Sequence, residues 1–350
     1  MATREISAPG RPWSRGFLQY LGSHLQAEPA LARWVAIGRS LMAGAQALTI
    51  LVTPVWAFHP SVGGRPAGFA CEGVARFSPW CLGSTALGEG ATKAAVVVVL
   101  GLVASGFSPR LTCVPHWWIS FGNAASWTLP EGGDQVAQNI TLLLIPVCLC
   151  DPRWFAWRSR DTSAESGSFL HGLSAAFLVA CRIQVVAIYL DSSLAKLGVA
   201  EWLNGTEMYY VFHDLRFGVP QGDVRNLATD ATNSGLVVAA LTWGSVICEL
   251  AIALFLCRRR AQSRAFAVCL AAALHLGIFV LIGLFSFAFI MIGAVAIASG
   301  AQTLRPRYDA PGPRDSNMWL GLDRPDADHS VNHPKRQKGD RDGSLDRAMQ

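Results

Sequence analysis

The chain has 350 residues, of which 51% are hydrophobic and only 15% are charged, and its formal net charge is +5. Water-soluble proteins carry about 25% charged residues, and here residues 303–350 alone hold 17 of the 53 charges. This balance excludes a secreted disulfide scaffold, a nucleic-acid binder with a broad basic surface and a chain disordered throughout, and it is typical of a membrane protein.

Apolar segments recur along the chain at about the length of a membrane-spanning helix, which is about 20 residues. We therefore predict an all-α, polytopic helical membrane protein with about eight transmembrane helices. The third and fourth segments are the weakest, because one contains His116 and Asn123 and the other is short, so six or seven helices remain alternatives. The predicted spans are 35–57, 91–108, 112–128, 136–150, 169–195, 235–257, 263–282 and 284–302.

Lys and Arg residues collect at alternate ends of these segments, which sets the predicted orientation because basic residues near helix ends stay on the cytoplasmic side. With eight crossings both termini are cytoplasmic. Residues 1–34 are predicted to be a cytoplasmic N-terminal segment and not a signal peptide. Residues 35–302 are the transmembrane domain, and residues 303–350 are predicted to be a disordered, charged cytoplasmic tail.

Two of the nine cysteines, Cys71 and Cys81, fall on the extracytoplasmic side in this topology. An oxidising compartment would allow them to pair, so we predict a Cys71–Cys81 disulfide. The other seven are expected to pack as small apolar residues. No spacing typical of a metal site is present, and we predict neither a metal nor a nucleic-acid partner.

The ionisable residues Arg182, Glu249 and His275 lie well inside three different predicted spans. A charge at such a depth requires a polar partner or a water-filled cavity. Counting the helical rise from the inner ends places the three at a similar depth. We therefore predict an intramembrane polar cluster in which Arg182 pairs with Glu249 and His275 lies beside them. It is either a structural ion pair or part of a substrate or proton path.

Lys196 ends the fifth segment, and Arg182, Tyr189 and Lys196 follow one another at intervals of seven, on nearly one face of a helix. A desolvated lysine has a lowered pKa and can act as a base, whereas a lysine at a helix end can also extend into lipid headgroups. Both interpretations stay open. The Gly132-Gly133-Asp134 turn lies on the same predicted side, and Asp134 is a candidate charge partner for Lys196.

The segment Tyr189–Met208, YLDSSLAKLGVAEWLNGTEM, resembles the signature of the HTTM superfamily, and most closely its sporulation-delaying-protein B family. The resemblance is carried by the aromatic residue that opens it, the Lys-Leu pair, the Trp and the Gly that follows. Four other stretches support it: Gly38–Leu41, Thr112–Trp118, Gly132–Gln135 and Arg182–Leu190.

The superfamily also includes the vitamin K-dependent gamma-carboxylases, and by this resemblance Lys196 occupies the position of their catalytic base. The resemblance allows a quinone-like cofactor, although the residues themselves predict none. The sporulation-delaying family implies a role in converting a secreted precursor peptide into a toxin, with a partner protein encoded in the same operon. The expected location is the bacterial inner membrane, in contact with lipid.

Three functions follow as hypotheses. The first is assistance in the maturation or export of a secreted peptide toxin. The second is an enzyme that modifies a carboxylate, quinone or lipid with Lys196 as the base. The third is an immunity or transport protein that uses the layer of Arg182, Glu249 and His275. Whether the protein is catalytic stays open at this point.

Overall fold

The computed structural model describes residues 25–26, 29–64, 66–158, 169–214, 222–258, 260–300 and 305–306. The predicted N-terminal segment and the predicted tail therefore lie mostly outside the described residues. Within them, one antiparallel pair of two-residue strands joins β1, Leu25–Gln26, to β2, Arg305–Pro306. All the other regular structure of the described residues is helical.

The connection between the first two α-helices, residues 53–78, carries two 3-10 turns, at Val55–Phe58 and at Gly73–Phe77. The α-helices are α1 (Pro29–Val52), α2 (Pro79–Ala86), α3 (Glu89–Ala104), α4 (Pro109–Ser126), α5 (Gly132–Leu149), α6 (Phe169–Lys196), α7 (Ala200–Leu203), α8 (Glu207–His213), α9 (Asp223–Thr232), α10 (Gly235–Cys257), α11 (Ala261–Ile282) and α12 (Phe285–Gly300).

Each of the eight predicted apolar segments coincides with one of these helices. Four described helices are long and apolar enough to cross a membrane, and α12 is apolar but shorter. Helix length and composition therefore support membrane spans, whereas the predicted number of eight is not established. The four candidate spans are Arg33–Val52, Gly172–Lys196, Gly235–Cys257 and Gln262–Ile282.

The polar residues that weaken the third predicted segment are buried between helices. In α4, Ser120 receives a hydrogen bond from the Gln46 side chain of α1 at 3.2 Å. Asn123 Oδ1 accepts from the indole of Trp80 at 2.9 Å, and the Trp80 side chain is fully buried. Contacts with α1 and α2 therefore satisfy the Ser120 hydroxyl and the side-chain oxygen of Asn123.

A disulfide joins Cys71 to Cys81, the pairing that the sequence predicts. It ties the loop before α2 to the first turn of that helix, where the Ser78 hydroxyl accepts a hydrogen bond from the backbone N–H of Cys81 at 3.1 Å. Phe58 stacks on Trp127 with 4.2 Å between ring centroids, and Trp80, the residue before Cys81, packs against both rings. The disulfide is thus adjacent in sequence to an aromatic core.

Candidate functional site

Lys196, the last residue of α6, forms an ion pair with Glu249 of α10. The Lys196 ammonium donates to Glu249 Oε1 and also to the Ser192 hydroxyl, 2.9 Å away, one helical turn earlier. The two charged side chains are only 20% and 10% exposed. The indole ring of Trp202 lies 5.2 Å from the ammonium, which adds a cation–π contact.

The acidic partner, Glu249, lies in the middle part of α10 and not near either end of the helix. Glu249 is 14 residues after Gly235 and eight before Cys257, which corresponds to about 21 Å and about 12 Å of helix. Side chains in a helix point back toward its N-terminus, and the hydrogen bond to Ser192 shows that Lys196 does so. The ammonium is therefore drawn from the helix end into the space between α6 and α10.

A buried tyrosine and a buried histidine that share a hydrogen bond lie close to this ion pair. The Ser193 hydroxyl lies 3.4 Å from Glu249 Oε2 and donates to the backbone carbonyl of Tyr189 at 2.8 Å. The Tyr189 hydroxyl is 2.7 Å from Nε2 of His275 in α11, and both side chains are buried. We call Lys196, Glu249, Ser193, Tyr189 and His275 the Lys196–His275 network.

The network combines an amine, a carboxylate, hydroxyls and an imidazole from three helices. These groups can hold and exchange a proton, which is the requirement for general acid or base chemistry. The Lys196 end is partly exposed and the His275 end is buried. A substrate would therefore meet the network at Lys196.

The predicted pairing of Arg182 with Glu249 is wrong. Arg182 Nε donates to the backbone carbonyl of Leu256 at 2.6 Å, near the end of α10, while Glu249 binds Lys196. The two contacts show that α6 and α10 run antiparallel. The prediction compared the depths of Arg182 and Glu249 by counting residues from the helix ends, and this count does not include the axial offset between α6 and α10. His275 forms its hydrogen bond with the Tyr189 hydroxyl and not with Arg182 or Glu249.

Asp134 is not the partner of Lys196. It lies in the first turn of α5, ahead of the apolar segment 136–150, where its carboxylate accepts a hydrogen bond from the backbone N–H of Glu131 at 3.1 Å. Together the two carboxylates form a capping box, each bound to the other residue's backbone N–H. Burial raises the pKa of Asp134 to about 7, against the opposing effect of this hydrogen bond.

The acidic turn nevertheless lies close to the network, with Phe287 of α12 between them. A Cβ on Gly133 would come within 2.9 Å of the Phe287 Cα, so the turn packs directly on α12. The Phe287 ring contacts His275 edge to face, with 5.3 Å between centroids. Glycine at position 133 permits this close approach.

No group of His, Cys, Asp and Glu among the described residues has the arrangement of a metal site. An apolar crevice of about 430 Å³ lies between α2, α3 and α4, lined by Pro79, Val96 and Pro115 among others. No residue of the Lys196–His275 network lines this crevice. This crevice is therefore not a quinone site beside Lys196, and we assign no step to such a cofactor.

The sequence alone did not identify Ser193 or the Glu249 partner of Lys196. A usable signal was present, because α10 contains a single acid within an otherwise apolar helix and such an acid requires a cation. The spacing of Tyr189 and Lys196 correctly placed both on one side of α6, since both join the network.

No protein-family model and no solved structure matches the chain. The chain is 31% identical over 269 residues to the uncharacterized protein YitO of Bacillus subtilis strain 168, an alignment that covers 75% of this chain and 83% of YitO. It is also 32% identical over 202 residues to the sporulation-delaying protein SdpB of the same organism, covering 58% of this chain and 61% of SdpB.

Proposed function

The chain belongs to the family of YitO, and on this premise we propose that it assists the maturation or export of a secreted peptide toxin. The similarity to SdpB supports a function related to that of a sporulation-delaying protein. The apolar helices support action in a membrane. The proposed partners are the secreted precursor peptide and a protein encoded in the same operon.

The observation that carries the proposal is the Lys196–Glu249 ion pair. Its lysine lies within the segment Tyr189–Met208 that carries the family resemblance. Replacing a buried ion pair by apolar residues is often neutral or stabilising, so stability alone gives little reason to keep this one. A partly accessible lysine that can pass its proton to the Glu249 carboxylate is suited to bind a substrate group or, as the neutral amine, to accept a proton from it.

We further propose that the protein crosses the cell membrane eight times, with both termini in the cytoplasm. In this arrangement the loop after Lys196 faces outward, where a secreted peptide passes. The four long apolar helices support spanning, and the basic residues near helix ends support this orientation.

The test compares Lys196→Ala with Lys93→Ala in cells that produce the precursor. Lys93 is a matched control, because its ammonium also binds within the helical region, to the backbone carbonyl of Thr53 at 2.8 Å, but lies outside the network. We expect Lys196→Ala to reduce the mature peptide by about 100-fold, the scale of a lost general base. Lys93→Ala should retain it.

Immunoblotting of membranes must show equal amounts of both variants. Full peptide production by Lys196→Ala would exclude Lys196 from the mechanism. Glu249→Gln in the same assay tests whether the ion pair matters as a unit, and we expect a loss as well.

A second candidate is an enzyme that modifies a carboxylate, quinone or lipid by base catalysis. The contact between Lys196 and Glu249 favours it, because a base must pass on the proton it accepts and the Glu249 carboxylate can take it. Mass spectrometry of the exported peptide separates the two candidates. A covalent mass change that disappears in a deletion strain supports a peptide-modifying enzyme, and an unchanged mass supports assistance without modification.

A further inference from the structure

Two of the stretches that support the family resemblance, Gly38–Leu41 and Thr112–Trp118, meet in the structure away from Lys196. Arg39 of α1 donates a hydrogen bond from its guanidinium to the Thr112 hydroxyl of α4 at 2.8 Å. Only 4% of Arg39 and 7% of Thr112 are exposed. This contact therefore places a positive charge inside the protein, between two helices.

No carboxylate of the described residues forms an ion pair with this charge. Among the described residues, the Lys and Arg ion pairs are Arg153–Asp151 and Lys196–Glu249. Asp151 is the nearby candidate, because both Asp151 and Arg39 interact electrostatically with the Cys148 thiol. However, it is bound to Arg153 through two hydrogen bonds of 2.6 and 2.8 Å. Arg39 therefore lacks a charge partner in the described part of the chain. A buried charge without a counter-charge is unfavourable.

A histidine beside Arg39 is also unsatisfied. His116 lies one helical turn after Thr112 in α4 and interacts electrostatically with Arg39. It is 1% exposed, and neither of its ring nitrogens has a hydrogen-bond partner among the described residues. Buried polar groups are almost always paired. An unpaired imidazole next to an uncompensated guanidinium therefore indicates a missing ligand.

We propose that Arg39, Thr112 and His116 bind a phosphate group. A guanidinium has five N–H donors in a planar fork that matches phosphate oxygens, and Thr112 engages one of them. The remaining donors and one His116 N–H supply hydrogen bonds, and the anion supplies the missing negative charge. A lipid headgroup and free phosphate share this chemistry.

The position in α1 is consistent with either source. Arg39 lies six residues after Arg33, where the apolar part of α1 begins, which corresponds to about 9 Å of helix. It is therefore near one end of a candidate span and within reach of a headgroup that enters between the helices. This site is separate from the proposed role of Lys196.

The experiment measures the melting temperature of the full-length protein, purified in a neutral detergent, during two titrations. One uses sodium phosphate against sodium chloride at constant ionic strength, and the other uses dihexanoyl phosphatidylglycerol. Each titration is repeated with Arg39→Gln, with Arg39→Lys and with Arg33→Gln. Arg33→Gln is the matched control, because Arg33 lies in the same helix but is exposed.

For the wild type and Arg33→Gln, we expect the melting temperature to rise by about 2 °C or more for each tenfold increase in ligand concentration above the Kd. A response to phosphatidylglycerol alone assigns the site to lipid, and a response to sodium phosphate assigns it to free phosphate. Arg39→Lys keeps the charge but lacks the planar guanidinium, so its melting temperature should rise less than that of the wild type. If Arg39→Gln does not fold, Arg39→Lys still tests the proposal. No response to either probe, or an equal rise in both Arg39 variants, overturns the proposal.

Discussion

At the scale of single residues, Lys196 and Glu249 depend on one another. Both side chains are mostly buried between α6 and α10, and an uncompensated charge there carries a desolvation penalty of several kcal/mol. The Ser192 hydroxyl accepts an additional hydrogen bond from the Lys196 ammonium. Removing one charged partner is therefore expected to cost more than removing both.

We predict that Glu249→Leu lowers the free energy of unfolding by about 3 kcal/mol, because it leaves the Lys196 ammonium unpaired. The double variant Lys196→Leu with Glu249→Leu should unfold within about 1 kcal/mol of the wild type, since apolar side chains suit this position. Denaturant unfolding in detergent, followed by helical circular dichroism, measures both. Equal losses in the single and double variants would show that the two charges are not coupled.

At the scale of helices, α1 and α12 approach one another most closely at two glycines. A Cβ on Gly38 would overlap the backbone carbonyl oxygen of Gly293, and a Cβ on Gly293 would come within 2.7 Å of the Gly38 carbonyl oxygen. Small residues allow helix backbones to come this close in membrane proteins. The crossing holds α1 against α12, whose Phe287 ring packs on His275 of the network.

We predict that Gly38→Ala lowers the free energy of unfolding by about 1–3 kcal/mol, because the added methyl group forces the helices apart. Gly101→Ala is the matched control, since Gly101 lies within α3 and a Cβ there meets nothing within 4 Å. That variant should be neutral or more stable by up to about 1 kcal/mol, as alanine favours the helix. Thermal unfolding of the two purified variants makes the comparison, and equal stability would contradict the close crossing.

At the scale of the whole molecule, the arrangement of helices in the membrane decides which proteins can reach Lys196. Asn204, in the exposed loop after α7, follows Lys196 closely, and Arg158 is an exposed residue in the segment before α6. These two positions flank α6. If α6 crosses the membrane, they lie on opposite sides of it.

We predict that Asn204→Cys reacts with a membrane-impermeant maleimide in intact cells, while Arg158→Cys reacts only after permeabilisation. Both changes are made in a chain whose exposed Cys257 and Cys269 are replaced by Ser. This pattern follows from the proposed orientation, because basic residues favour the cytoplasmic side. Labelling of Asn204→Cys only after permeabilisation would place the Lys196 end of α6 inside the cell and contradict the proposed function.

The sequence by itself determined where the helices lie, because long apolar runs interrupted by polar and glycine-containing turns leave few other ways to satisfy the backbone. It also determined that Glu249 needs a partner, since an acid in an apolar helix is costly. The tertiary structure decided that the partner is Lys196 and that Arg182 binds the Leu256 carbonyl. Such choices depend on the axial offset and rotation of packed helices, which arise from contacts between distant segments and not from the pattern within any one of them.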